Sequence, residues 1–188
     1  ILSSPALDLS GNIYFGSGNG YCYSLADNEN NASLNWQFLT GDRVDASPIL
    51  GTTNDVFFVS RDGYLRSLSS LTGGLNWDAF VGDVFYSAPV IDSNGRVYVI
   101  GYTGGGENHL SAFESNGTKA WDTNQSEISF SVAGIVDSSL LLSESGKLYY
   151  GCYDGKLYCV DIGAGPANSD WPMFQRNGKR DGAWPSYI

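Results

Sequence analysis

The residues with the greatest intrinsic reactivity in this 188-residue sequence are three cysteines, Cys22, Cys152 and Cys159, and a single histidine, His109. No two cysteines form a Cys-x-x-Cys pair, so the spacing that zinc sites and thioredoxin-like centres use is missing. Haem attachment needs Cys-x-x-Cys-His, which is missing too. His109 has no cysteine beside it; alone it offers a lone base with no nucleophile to activate, and a solvated strand position is the expectation. The 20 acidic residues scatter through turns without a pair spaced for acid–base work. Asp27-Asn28-Glu29-Asn30-Asn31 partly mimics a calcium loop, but Ala32 stands where an EF-hand needs glycine and Phe38 where it needs glutamate. Gly104-Gly105-Gly106 leads into strand residues, not the helix start that a phosphate cradle requires. Sequons at Asn31, Asn116 and Asn124 matter only if the source glycosylates secreted proteins.

Composition narrows the partners. A formal net charge of −10 repels phosphate backbones and anionic membrane surfaces, so nucleic acid is excluded as an expected partner. No apolar run approaches the roughly 18 residues that span a bilayer. The 24 glycines, with aromatics at 14%, suit short strands joined by tight turns, and no long segment has apolar residues at helical spacing. The start at Ile1, without a signal-peptide pattern, reads as a processed or truncated piece.

What must position these residues is an internal repeat. Residues 3–24 (SSPALDLSGNIYFGSGNGYCYS) align without a gap with residues 46–67 (ASPILGTTNDVFFVSRDGYLRS). A third copy starts at Ser87 (SAPVIDSNGRVYVIG) and a fourth at Ser138 (SSLLLSESGKLYYGCYDGKLYCVD). The first strand carries Pro5, Pro48, Pro89 and Leu140 in one column; a turn follows at Gly11, Asn54, Gly95 and Gly146. Second strands are expected at 13–17, 56–60, 97–101 and 148–152. Asn19-Gly20, Asp62-Gly63 and Asp154-Gly155 predict two-residue hairpins with type I′ turns. Leu25, Leu68, Phe113 and Val160 share a third-strand column, and Trp36, Trp77, Trp121 and Trp171 mark the fourth strands. These tryptophans are a structural blade signature, expected to wedge between neighbouring blades. In the same columns Cys22, Cys152 and Cys159 replace small or apolar residues, so buried free thiols are expected. Cys152 is expected to face Leu157, which makes a Cys152–Cys159 disulfide geometrically poor.

Each unit is therefore a four-stranded antiparallel meander, and the fold class is an all-β propeller with four blades in this chain, about 1–40, 41–80, 81–124 and 125–175, then a tail at 176–188. Residues 131–137 (SVAGIVD) are an alternative first strand for blade 4; the gap-free register favours 138–146 and makes 122–137 an insertion before that blade.

The strings SSPALD, GNIYFGS, NGYCYSL and NWQF, with ASPIL, DGYLRSL, GGLNWDAF, SAPVID and GRVYVIG, resemble the repeat of PQQ-like (quinoprotein-type) β-propellers. The segment at 170–182 (DWPMFQRNGKRDG) is similar to one found at the ends of such propellers. The resemblance implies rings of seven or eight blades, so three arrangements follow. The chain is the C-terminal part of a longer propeller, or a homodimer completes an eight-bladed ring, or four blades close alone. It also implies a periplasmic or extracellular location. Relatives include a scaffold of the outer-membrane barrel-assembly machinery and PQQ- and calcium-dependent dehydrogenases. The dehydrogenases use a tryptophan floor, a calcium and often two adjacent cysteines; adjacent cysteines are missing here and no position matches a calcium ligand, so no cofactor is expected. The first reading is a non-catalytic propeller that offers a surface to a protein or glycan. A fragment of a quinoprotein dehydrogenase is the second, and a glycan-binding accessory domain the third.

Overall fold

The structure, a computed structural model, describes residues 1–83, 86–103, 107–122, 132–133 and 135–174. Among these it contains strands only, in four antiparallel sheets. Blade 1 is β1 (Ala6–Leu7), β2 (Asn12–Gly16), β3 (Tyr21–Asp27) and β4 (Ala32–Leu39). Blade 2 is β5 (Ile49–Leu50), β6 (Asp55–Val59), β7 (Tyr64–Ser69) and β8 (Leu75–Phe80). Blade 3 is β9 (Val90–Ile91), β10 (Val97–Thr103), β11 (Glu107–Phe113) and β12 (Lys119–Asp122), with β13 (Val132–Ala133) also on β11. Blade 4 is β14 (Leu141–Leu142), β15 (Lys147–Gly151) and β16 (Leu157–Asp161). All four innermost strands begin one residue after the Pro5/Pro48/Pro89/Leu140 column, so the gap-free register of the fourth copy holds.

The alternative first strand finds a different place. β13 pairs with Glu107 and Asn108, while β12 pairs with residues 111–113 of the same strand. Together they form one interrupted outer strand of blade 3. Of the residues expected as an insertion before blade 4, Val132 and Ala133 thus pair with blade 3.

The hairpin turns also differ from expectation. The Gly20, Gly63 and Gly155 amides donate to the carbonyls of Ser17, Ser60 and Cys152, and these glycines sit at φ +85°, +86° and +81°. Asn19, Asp62 and Asp154 are not left-handed, so each hairpin is a type I turn closed by a glycine bulge, not a type I′ turn. The turn's Asx side chain has a second task. It accepts from the backbone amide two residues on and bonds the side chain four residues on: Asn19–Tyr23, Asp62–Arg66 and Asp154–Tyr158.

The core is a series of blade-to-blade seams. Each interior strand alternates, with one face on the preceding blade and the other on the next. Ala6, Tyr14 and Cys22 of blade 1 meet Leu50, Val56, Phe58 and Leu68 of blade 2. Ile49, Phe57 and Leu65 of blade 2 meet Ile91, Val97, Val99 and Phe113 of blade 3. Tyr98, Ile100 and Leu110 of blade 3 meet Leu142, Leu148, Tyr150 and Val160 of blade 4.

Tryptophans brace the outer part of two seams. Trp36 lies opposite Ser24, donates to the Ser70 carbonyl of blade 2 at 2.8 Å and stands between Tyr14 and Phe58. Trp77 repeats this, opposite Ser67, donating to the Ser115 carbonyl of blade 3 at 2.9 Å between Phe57 and Phe113. Trp121 holds the same column opposite Ala112 and packs on Tyr98. Each of the first two indoles covers a turn glycine of the next blade: a Cβ on Gly73 would stand 2.7 Å from Trp36, and one on Gly117 2.7 Å from Trp77. Gly73→Ala, at φ +71°, therefore combines a left-handed backbone with a ring collision and should lower unfolding free energy by about 1–3 kcal/mol, read from urea denaturation.

Candidate functional site

The reactive residues singled out in the sequence do not converge. Cys22 is buried, and burial pushes its thiol well above the ordinary value. Cys152 is half-buried and Cys159 is exposed, so the expectation of three buried thiols holds for Cys22 alone. Cys159 pairs across the hairpin with Tyr149, and it is Gly151, not Cys152, that faces Leu157. The glycine bulge shifts Cys152 out of the ladder and into the turn. His109 is 7% exposed, not solvated. In the Asp27–Asn31 loop, Asp27 accepts from the Glu29 amide and Asn28 binds Ser33, so these side chains cap the turn. Asn31 and Asn116 are exposed; Asn124 and Gly104-Gly105-Gly106 lie outside the described residues.

Trp171 is the clearest correction. It does not lie on an outer strand. The chain leaves β16 through Gly163, at φ +74°, and Pro166, and turns inward. Asp92 bridges Pro166, the Ala167 amide donates to Ile91 at 3.0 Å, and the Leu50 and Ile91 amides donate to the carbonyls of Trp171 and Pro172. These bonds occupy the free inner edges of β5 and β9. Trp171 is then buried against blades 1 and 2, and Met173 against blades 3 and 4. Pro172 suits this place, because a segment added at a sheet edge can accept through its carbonyl, as from the Ile91 amide, without donating. Trp36, Trp77 and Trp121 are followed by Gln or Asp, and that difference was visible in the sequence.

The surface that does gather functional side chains is the end carrying the β2–β3, β6–β7 and β15–β16 hairpins. There, the segment entering a blade is laced to that blade's hairpin. The Arg61 amide donates to the Arg43 carbonyl at 2.9 Å, Asp83 and Tyr102 bond reciprocally, and the Tyr153 amide donates to the Ile135 carbonyl at 3.1 Å. This lacing brings side chains from successive blades into one strip. Asp45, its side chain wholly buried, holds Arg43 at 3.2 Å and Arg61 at 2.7 Å. Arg61 donates to the Tyr86 hydroxyl at 2.8 Å and lies over its ring. Tyr153, 73% exposed, bonds Asp137, and that acid beside it raises the phenol's pKa. Ile135, Asp137, Cys152 and Tyr153 line a shallow cleft of about 360 Å³ beyond it. Sequence reasoning missed this strip because Arg43, Asp45, Tyr86 and Ile135 lie in linkers between repeats, where no column aligns them.

The opposite end holds a polar cleft of about 220 Å³ between blades 1 and 2, near Asp8, Asp55 and Asp170. Its carboxylates are engaged: Asp8 with Asn12 and Tyr14, Asp55 with Thr53 and Asn76, Asp170 with the Leu9 amide. Calcium takes six to eight oxygen ligands. Among the described residues no group of three or more His, Cys, Asp or Glu side chains converges as metal ligands.

Four meandering sheets packed radially define a PQQ-type β-propeller. A sequence profile described as outer membrane protein assembly factor BamB matches residues 26–173, and the chain belongs to that family. The crystal structure of BamB from Moraxella catarrhalis superposes with a TM-score of 0.64 at 17% identity, over 86% of this chain and 50% of that one. A europium-containing methanol dehydrogenase superposes with a TM-score of 0.51 at 20% identity, over 61% of this chain and 23% of that one. The chain thus spans half or less of the length of these structures, and the likeness is one of fold. No curated protein matches the chain in sequence. Among the described residues no helix is long and apolar enough to cross a membrane.

Asp62 offers a pH test of the hairpin design. Burial alone would raise its carboxyl, but Arg66, Ser60 and the Gly41 amide bond it and hold it below the usual carboxylate range. Its stabilisation is therefore present above the unfolded carboxylate pKa and is lost as pH falls through the lowered folded value. Asp62→Asn should unfold at lower urea than the wild type at neutral pH, and the two midpoints should converge in acid.

Proposed function

We propose that this chain is a non-catalytic propeller whose Arg43–Tyr153 strip binds a protein partner in the periplasm or outside the cell. The observation that carries this reading is the strip itself: Arg43 and Arg61 held by the buried Asp45, Tyr86 bonded to Arg61, and the exposed Tyr153 bonded to Asp137. Arginine and tyrosine are enriched where binding energy concentrates, because each combines a large contact area with few lost rotamers or a rigid donor fork. Membership in a family described as outer membrane protein assembly factor BamB supports a partner from that assembly. Glycan binding and quinone-dependent dehydrogenation are the competing outcomes.

Two measurements decide between them. A photoreactive residue at position 153 should cross-link to an outer-membrane assembly component in the source cells. Arg61→Ala with Tyr86→Ala should weaken that capture by roughly tenfold or more, the scale of a hot-spot truncation. Unchanged capture in the double variant would remove the strip from the reading. Addition of PQQ and calcium should leave the thermal midpoint where it is, since a ligand that binds only the folded state must raise it. A rise would establish the dehydrogenase reading instead.

A further inference from the structure

The three Asn-x-Ser/Thr sequons share a feature beyond the sequon itself. Each has a carboxylate two places ahead: Glu29 before Asn31, Glu114 before Asn116 and Asp122 before Asn124. With 20 acidic residues in 188, an acid at that place before every sequon is more than composition supplies. Asp/Glu-x-Asn-x-Ser/Thr is a longer acceptor form for sugar. Its carboxylate gives an oligosaccharide transferase a charged handle, one that an arginine can grip, beside the asparagine amide and the hydroxyl.

The structure separates the three sites. Asn124 lies outside the described residues. At Asn31, just before β4, the hydroxyl of the sequon is engaged, since Ser33 Oγ accepts from Asn28 Nδ2 at 3.1 Å. Asn116 lies in the turn between β11 and β12 of blade 3, which meets blade 2 on one face and blade 4 on the other. The Gly117 amide donates to the Glu114 carbonyl at 2.9 Å, and the Glu114 amide to the Thr118 carbonyl at 2.8 Å. Trp77 of blade 2 pins the same turn through the Ser115 carbonyl. The groups that the acceptor form needs still face solvent. Ser115, Asn116 and Thr118 are exposed. Asn116 Oδ1 accepts from the Thr118 amide at 2.9 Å, while Asn116 Nδ2 and Thr118 Oγ1 carry no hydrogen bond among the described residues. Glu114 is 42% exposed, and both of its bonds from Arg96 fall on Oε1, which leaves Oε2 open.

We propose that Asn116 is an acceptor for an N-linked oligosaccharide, with Glu114 and Thr118 as the residues by which a transferase recognises it. The co-reactant is a polyprenyl-diphosphate-linked oligosaccharide. A bond forms between Asn116 Nδ2 and the anomeric carbon of the sugar, and that carbon's bond to the diphosphate oxygen breaks. The polyprenyl diphosphate leaves with the bonding pair, and the amide nitrogen gives up one proton to solvent; nothing is oxidised or reduced. The modification rests on the location outside the cytoplasm proposed above, where such donors are consumed. It does not rest on the Arg43–Tyr153 strip. The β11–β12 turn lies at the opposite end of the blades from the β2–β3 and β6–β7 hairpins, so the sugar leaves the strip uncovered.

Trypsin separates the three sequons, because cleavage after Arg43, Arg96, Lys119 and Lys147 puts them on different peptides, with Asn116 on 97–119. Mass spectrometry of the chain from its source cells should show a sugar adduct on that peptide, and fragmentation should place it on Asn116. Asn116→Gln, Thr118→Val and Glu114→Gln should each remove the adduct with unchanged circular dichroism. Protease added to spheroplasts tests the location separately and should digest the chain. A bare 97–119 peptide from a chain that the protease digests would overturn the acceptor site and leave the location standing. A chain that the protease cannot reach would overturn the location and the site with it. An adduct that survives Asn116→Gln or Glu114→Gln would overturn the proposal too. If a variant fails to fold, the wild-type 97–119 peptide decides alone.

Discussion

The structure depends on one constraint: a four-stranded blade of this kind has two apolar faces and can cover neither alone. Every interior strand alternates between a residue facing the preceding blade and one facing the next, so burial is completed only by radial stacking. Phe57 and Phe58 show the logic in two adjacent residues. The first enters the seam with blade 3 and the second the seam with blade 1. Helices are unnecessary because each seam is already about as apolar as a domain core.

That constraint explains what was legible in the sequence and what was not. Columns repeat because seams repeat, so strand positions, blade register and the wedge positions of Trp36 and Trp77 could be read from alignment. Turn chemistry was read one step wrong. Asp-Gly fits both a type I′ turn and a type I turn with a glycine bulge, and the Asx side chain's bond to residue i+4 favours the second, since it needs the ring or guanidinium on the following strand within reach. Trp171 was misplaced by spacing: its segment pairs with the inner edges of β5 and β9 instead of with β16. The Arg43–Tyr153 strip was illegible because linkers have no counterpart against which to align.

One segment covers the inner edges of two blades. Innermost strands of a propeller carry unpaired amides and carbonyls on their inner edge, and such edges invite pairing. Residues 165–172 supply the partners for β5 and β9, and Trp171 and Met173 plug apolar gaps from the same segment.

Scaffold and surface therefore separate by residue class. Alternating aliphatic and aromatic residues in the strands specify how blades meet, and they leave little freedom at any column. The linkers share that burden through Val44, Val81 and Val136, while Arg43, Tyr86 and Ile135 stay at the surface. Asp45 links the two roles: its carboxylate is buried as deeply as the core, yet both its partners are arginines at the surface. A buried charge is tolerated only where it is paired, so the two guanidiniums are held in place by the cost of leaving Asp45 alone. In a chain with a formal net charge of −10, that arrangement keeps two positive groups fixed at one end of the molecule, presented beside Tyr86 without the entropy loss that free arginine side chains would suffer on binding.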